Sequence, residues 1–118
     1  MGDRRYLPHI APRAAYAAMV TRMDKEVGRF IDLVEELGLT ENTIFVFTSD
    51  NGPLYDRLGG TDCEYFNSAG GLRGRKGSFY EGGFRVPCIV RWKGKIAPGT
   101  TSTRVTGFED WLPTLLEL

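Results

Sequence analysis

Between Gly52 and Gly83 the chain carries nine of its fifteen glycines, and neither a helical nor a strand period survives the middle of that stretch. This limits the fold more than any other feature. No regular element can run through those residues, so the structure must be assembled from what stands on either side. A loop of that length inside a compact domain is uncommon, and is either functional or disordered. Tyr55, Tyr65, Phe66, Phe79 and Tyr80 lie within it and argue against plain disorder.

Before the loop, the periodicity predicts a helix over residues 13–37. Tyr16, Met19, Val20, Met23, Val27, Phe30, Ile31, Val34 and Leu37 recur at three- and four-residue steps, one broad apolar face expected to pack into a core. Pro12 near its start and Gly38 just past its end are the usual terminal signals. Residues 39–42 turn into a strand over 43–49, nearly continuously apolar, as suits a sheet covered on both faces. After the loop, residues 88–92 read as a second strand with Pro87 at its entry, where no ladder donor is needed. A turn over 94–100 follows. Asp110 is then expected to cap a helix through Trp111, Leu112, Leu115 and Leu116, with Pro113 tolerated in its first turn.

The order helix, strand, long glycine-rich loop, strand, helix predicts an α/β layered fold. At 118 residues the chain is expected to be one segment, with residues 1–12 as a loose tail and the last helix cut short.

Composition excludes more than it selects. Lys+Arg and Asp+Glu balance at 15 each, so net charge gives no argument for nucleic acid or a membrane surface. No apolar run approaches the roughly 20 residues of a membrane helix, and no export signal is visible near the N-terminus. Cellular compartment stays open. Cys63 and Cys88 are too few and too far apart for a zinc site or a redox pair, and are expected as free thiols, with a single disulfide as the alternative. His9, between Pro8 and Ile10, is expected to be exposed and without a catalytic role.

Two stretches could carry chemistry. Asp50 and Asn51 follow the first strand at its carboxyl end, where open α/β sheets bind ligands. Their carboxylate and carboxamide oxygens suit a hard cation such as calcium or magnesium, although Asp-Asn-Gly is equally good turn chemistry. The second stretch is basic: seven cationic residues against Glu81 alone between Arg73 and Lys95. Glycines among Arg73, Arg75 and Lys76 would let an oxyanion approach closely, though such a loop can also be a solvated surface. It is not a phosphate-cradling P-loop, because Arg75 precedes Lys76 where that motif needs glycine.

Taken in order, Thr48-Ser49-Asp50-Asn51-Gly52 and LRGRKGSFYEGGFRVP at 72–87 resemble the type I sulfatase family, within the alkaline phosphatase superfamily. YAAMV at 16–20, MDKEVG at 23–28, IVRWKGKI at 89–96 and DWLPTLL at 110–116 extend the likeness over roughly residues 13–118. The resemblance implies an alkaline-phosphatase-like layered fold and hydrolysis of sulfate esters, on a small molecule or a sulfated sugar. It implies calcium, or magnesium, in the complete enzyme. Asp50 and Asn51 match metal ligands, and Lys76 matches the lysine that contacts substrate sulfate. Tyr80, Glu81 and Gly82 match a shape-defining loop without a catalytic step. Arg73 and Arg75 either flank the sulfate pocket or face solvent, the latter favoured for Arg75.

The departures are specific. The family's formylglycine arises from Cys or Ser in Cys/Ser-x-Pro-x-Arg, and neither Cys63 nor Cys88 nor any serine here fits it. The acidic pair that completes the metal shell is absent, and His9 lies outside the family's histidine motif. The chain is therefore expected to be the later part of a sulfatase catalytic domain, inactive alone. The alternatives are a fragment of a related phosphate or phosphonate ester hydrolase, and a non-catalytic anion-binding module.

Overall fold

The computed structural model describes residues 9–55 and 62–118. Residues 1–8 of the expected tail, and Gly59 and Gly60 of the glycine stretch, lie outside the described residues.

Helix α1 spans Pro12–Glu36, with Pro12 in its first turn. It ends as its sequence prescribes. Gly38 takes φ +68°, Gly38 N donates to Glu35 O, and Leu39 N donates to Val34 O, both at 3.0 Å. These reverse bonds satisfy carbonyls that the last turn orphans, and only glycine adopts the left-handed backbone freely. Along the exposed face Arg22 and Arg29 both pair with Glu26, contacts of small net worth in water.

Strand β1 (Phe45–Thr48) pairs antiparallel with β2 (Cys88–Arg91), matching Phe45 to Arg91 and Thr48 to Cys88. Both are shorter than their apolar runs, and the partner sets each end. Beyond Thr48, Ser49 would face Pro87, which has no N–H to donate. Before Phe45, the partner has already turned away, since Lys95 N and Ile96 N both bond to Trp92 O. The Trp92 indole donates instead to Glu41 O (3.3 Å), and Lys93 reaches Glu35 (3.3 Å). Together they tether β2 near the end of α1.

The described part of the glycine stretch follows defined hydrogen-bonded turns. Its first arm, 62–71, folds back in successive turns and fastens to the start of α1. Tyr16 and Phe66 pack with ring centroids 5.0 Å apart. Arg13 lies 4.0 Å over the Tyr65 ring and pairs with Asp62 at 2.7 Å. Cys63 is buried, its thiol donating to Leu54 O at 2.7 Å, while Cys88 is exposed and both thiols are free. The second arm contains an unforeseen helical turn, α2 (Glu81–Phe84), with Gly82 and Gly83 buried.

Helix α3 runs Trp111–Leu116. Asp110 does not cap it through its side chain, contrary to expectation. Its carboxylate accepts from Gly107 N at 2.9 Å and closes the preceding 3-10 turn, Phe108–Asp110.

Two expectations about the core fail. Val46 and Phe47 remain about two-fifths exposed, so the described sheet is not covered on both faces. On α1, Met19 and Phe30 are 70% and 64% exposed, so the stripe does not face a core within these residues. The solvent-accessible surface is 10245 Å², against about 6,400 Å² for a compact monomer of this mass. The radius of gyration is 17.3 Å, against about 13.5 Å for a compact domain of this length. The apolar area is present, but the described residues supply no second layer for it.

Candidate active site

β1 delivers its polar end into a tight tip. Ser49 Oγ donates to Asn51 O (2.9 Å), and Asn51 Nδ2 donates to Gly52 O (3.0 Å). With its NH2 group engaged, Asn51 has its Oδ1 left as the acceptor. Asp50 is exposed and Asn51 half-buried.

Two backbone bonds seat the cationic loop on this tip and two more close the loop on itself. Gly52 N donates to Gly83 O (2.9 Å), Lys76 N to Pro53 O (2.8 Å), Gly82 N to Arg73 O (2.8 Å) and Gly83 N to Tyr80 O (2.7 Å). Two glycines make the approach possible. A Cβ on Gly52 would strike the Gly82 carbonyl oxygen, and one on Gly82 would strike the Gly74 carbonyl oxygen. Around Lys76 the chain turns through Gly74 and Gly77, at φ +85° and +84°.

Lys76 is exposed, and among the described residues no hydrogen bond or ion pair engages its ammonium. Arg73 is exposed but ordered, its guanidinium 3.8 Å over the Tyr80 ring. Arg75 is half-buried rather than turned fully to solvent.

Asp50 also opens on a groove of about 740 Å³ between the end of β1, α2 and the segment before α3, where Glu81, Arg85, Arg104, Glu109 and Trp111 form part of the wall. Asn51 and Lys76 are not on that wall. His9 stands apart from the tip, its Nδ1 accepting from Ala11 N (3.0 Å). Among the described residues no group of three His, Cys, Asp or Glu side chains could hold a metal ion, and no helix is long and apolar enough to cross a membrane.

Sequence reasoning singled out Asp50, Asn51 and Lys76 but not the seam that joins their segments. The signal was present in Gly52 and the Gly82-Gly83 pair, since glycine where two backbones must meet closely is a recurrent requirement.

Helices and a two-strand sheet, with Asp50 and Asn51 just beyond the carboxyl end of β1, are consistent with an α/β fold. The sulfatase family model matches residues 3–118. Mouse steryl-sulfatase is 41% identical over 104 residues, which is 88% of this chain and 17% of that protein. Human arylsulfatase A is 39% identical over 106 residues, 90% of this chain and 20% of that protein. The N-acetylgalactosamine-6-O-sulfatase of Bacteroides thetaiotaomicron is 40% identical over 86 residues, 68% of this chain and 16% of that protein. The chain belongs to the sulfatase family. It spans about a fifth of the length of these curated relatives.

Proposed function

We propose that this segment supplies part of the cation site and a sulfate-contacting lysine to an enzyme that hydrolyses sulfate esters. The observation that carries the reading is the backbone seam, Gly52 to Gly83 and Lys76 to Pro53, which joins an acidic tip to a cationic loop. Sulfatase relatives over nearly the whole chain support it. The layered alkaline-phosphatase-like fold is completed by chain outside these residues.

Asp50 and the free Oδ1 of Asn51 are hard oxygen donors and fit calcium or magnesium as two ligands of a larger shell. When bound, such an ion polarises a sulfuryl oxygen and offsets its charge. The Lys76 ammonium meets the other developing negative charge as the ester bond breaks, the effect of a cation placed where charge develops. Nothing lies within 4 Å of a Cβ placed on Gly77, next to Lys76, which leaves that side of the loop open to a tetrahedral anion. No Cys/Ser-x-Pro-x-Arg occurs in the chain, so the nucleophile comes from elsewhere and the isolated segment turns nothing over. Steryl, aryl and amino-sugar sulfates, named by the relatives, are the candidate substrates.

A segment exchange tests this. Residues 13–118 replace the matching part of mouse steryl-sulfatase, and turnover of an aryl sulfate is compared with that of the corresponding aryl phosphate. The expected result is retained hydrolysis with sulfate strongly preferred. A folded chimera that prefers the phosphate would move the reading to a phosphate ester hydrolase.

A further inference from the structure

The turn that presents Lys76 is closed by a side chain as well as by backbone. Lys76 is the second residue of a turn over 75–78. Ser78 N donates to Arg75 O (2.9 Å), and Arg75 N donates back to Ser78 Oγ (3.0 Å). Backbone closes the turn on one side, and the hydroxyl closes it on the other.

The position of that hydroxyl is tightly bounded. A Cβ on Gly74 would collide with Ser78 Oγ, and one on Gly83 would collide with Ser78 O and lie 3.0 Å from Oγ. Ser78 therefore fills the space between the residue that enters the turn and the residue whose carbonyl receives Gly52 N. Gly74 and Gly77 flank Lys76 with left-handed backbones, and glycine imposes little restraint of its own. Without the Ser78 hydroxyl the Arg75 N–H loses this acceptor, and the turn that presents Lys76 keeps only its backbone closure and the Lys76 to Pro53 bond.

We infer that Ser78 is the positioning residue for Lys76, setting the ammonium relative to Asp50 and Asn51 through Gly83 and Gly52. The inference rests on the reading of Lys76 as a sulfate contact. Alanine deletes the acceptor, whereas threonine keeps it and adds one methyl group.

Amide hydrogen exchange by NMR on the full 118-residue chain tests the clamp without any ligand. The Lys76 amide is expected to be protected. In Ser78→Ala, Arg75 and Lys76 should exchange about fivefold faster, the scale of one lost hydrogen bond, with α1 amides unchanged. Ser78→Thr should restore the slow rates. A Lys76 amide that is unprotected in the unsubstituted chain, or equally protected in Ser78→Ala, would overturn the inference. So would a loss that spreads equally through α1, which would make Ser78 a general fold residue. A titration with inorganic sulfate separates this from the reading beneath it. Shifts at Lys76 that weaken several-fold in Ser78→Ala support both. Exchange as expected with no sulfate shift in either protein supports the clamp and overturns the sulfate contact.

Discussion

Gly52→Ala is expected to detach the strand tip from the cationic loop, making the Lys76 amide exchange about a hundredfold faster. The added methyl would occupy the space of the Gly82 carbonyl oxygen and lie 2.8 Å from the Gly82 carbonyl carbon and 3.2 Å from Gly83 Cα. All three are backbone atoms, so no flexible side chain can swing aside. Relief requires the two backbones to part, which breaks the Gly52 to Gly83 hydrogen bond (2.9 Å) and strains Lys76 to Pro53 (2.8 Å). Overpacking of about 2 kcal/mol and one lost hydrogen bond of about 1 kcal/mol together give about 3 kcal/mol, which is about two powers of ten in an equilibrium. Gly28→Ala is the matched control. Nothing lies within 4 Å of its added Cβ, and alanine in a helix interior is favoured by about 0.5–1 kcal/mol, so α1 amides should exchange more slowly. If the two substitutions had similar effects, the close approach at Gly52 would not hold the site together.

Lys76→Ala, placed in the steryl-sulfatase chimera, is expected to lower kcat/KM for an aryl sulfate by roughly 10²–10³, the scale of losing one preorganised partner of a developing charge. The ammonium has no competing ion pair among the described residues, so its charge is free for an incoming anion. Much of the loss should appear in kcat, because the charge it offsets grows as the bond to the leaving oxygen breaks. Lys95→Ala is the control, since Lys95 sits on the turn after β2 near Trp92 and should leave both constants unchanged. Equal, small effects of the two substitutions would remove Lys76 from the chemistry.

The parts of the fold legible in the sequence are those governed by local rules. α1 was readable because its apolar period, Pro12 and Gly38 act within a few residues, and Gly38 ends the helix by the bond pattern its residue type favours. The strand limits were not readable, because Pro87 and the turn at Trp92 impose them across the sheet. Asp110 was assigned forward to α3, yet its carboxylate bonds back to Gly107 N, a local competition that residue type alone does not decide. α2 left no trace, since Glu-Gly-Gly-Phe has neither period nor propensity. Its glycines are there because Gly82 and Gly83 must approach the backbones of Gly74 and Ser78. The exposed stripe on α1 is the instructive failure. Period shows which face of a helix is apolar, but not whether its partner lies within the same 118 residues.

At the candidate site, Asp50, Asn51 and Lys76 were legible by type and order. The seam between them was not, because hydrogen bonds between backbones leave only glycines as a signature. Ser78 left no signal for a different reason: a serine hydroxyl accepting one bond within a turn looks in sequence like any other polar loop residue.

The most direct test of the central claim, that the tip after β1 is part of a cation site, is a calcium titration of the 118-residue chain followed by amide shifts. Selective, saturable shifts at Asp50, Asn51 and Gly52 are expected, with affinity weaker than the roughly millimolar value of open extracellular calcium modules, and they should vanish in Asp50→Ala. Shifts confined to the acidic residues of α1, or shifts at the tip that persist in Asp50→Ala, would contradict the claim.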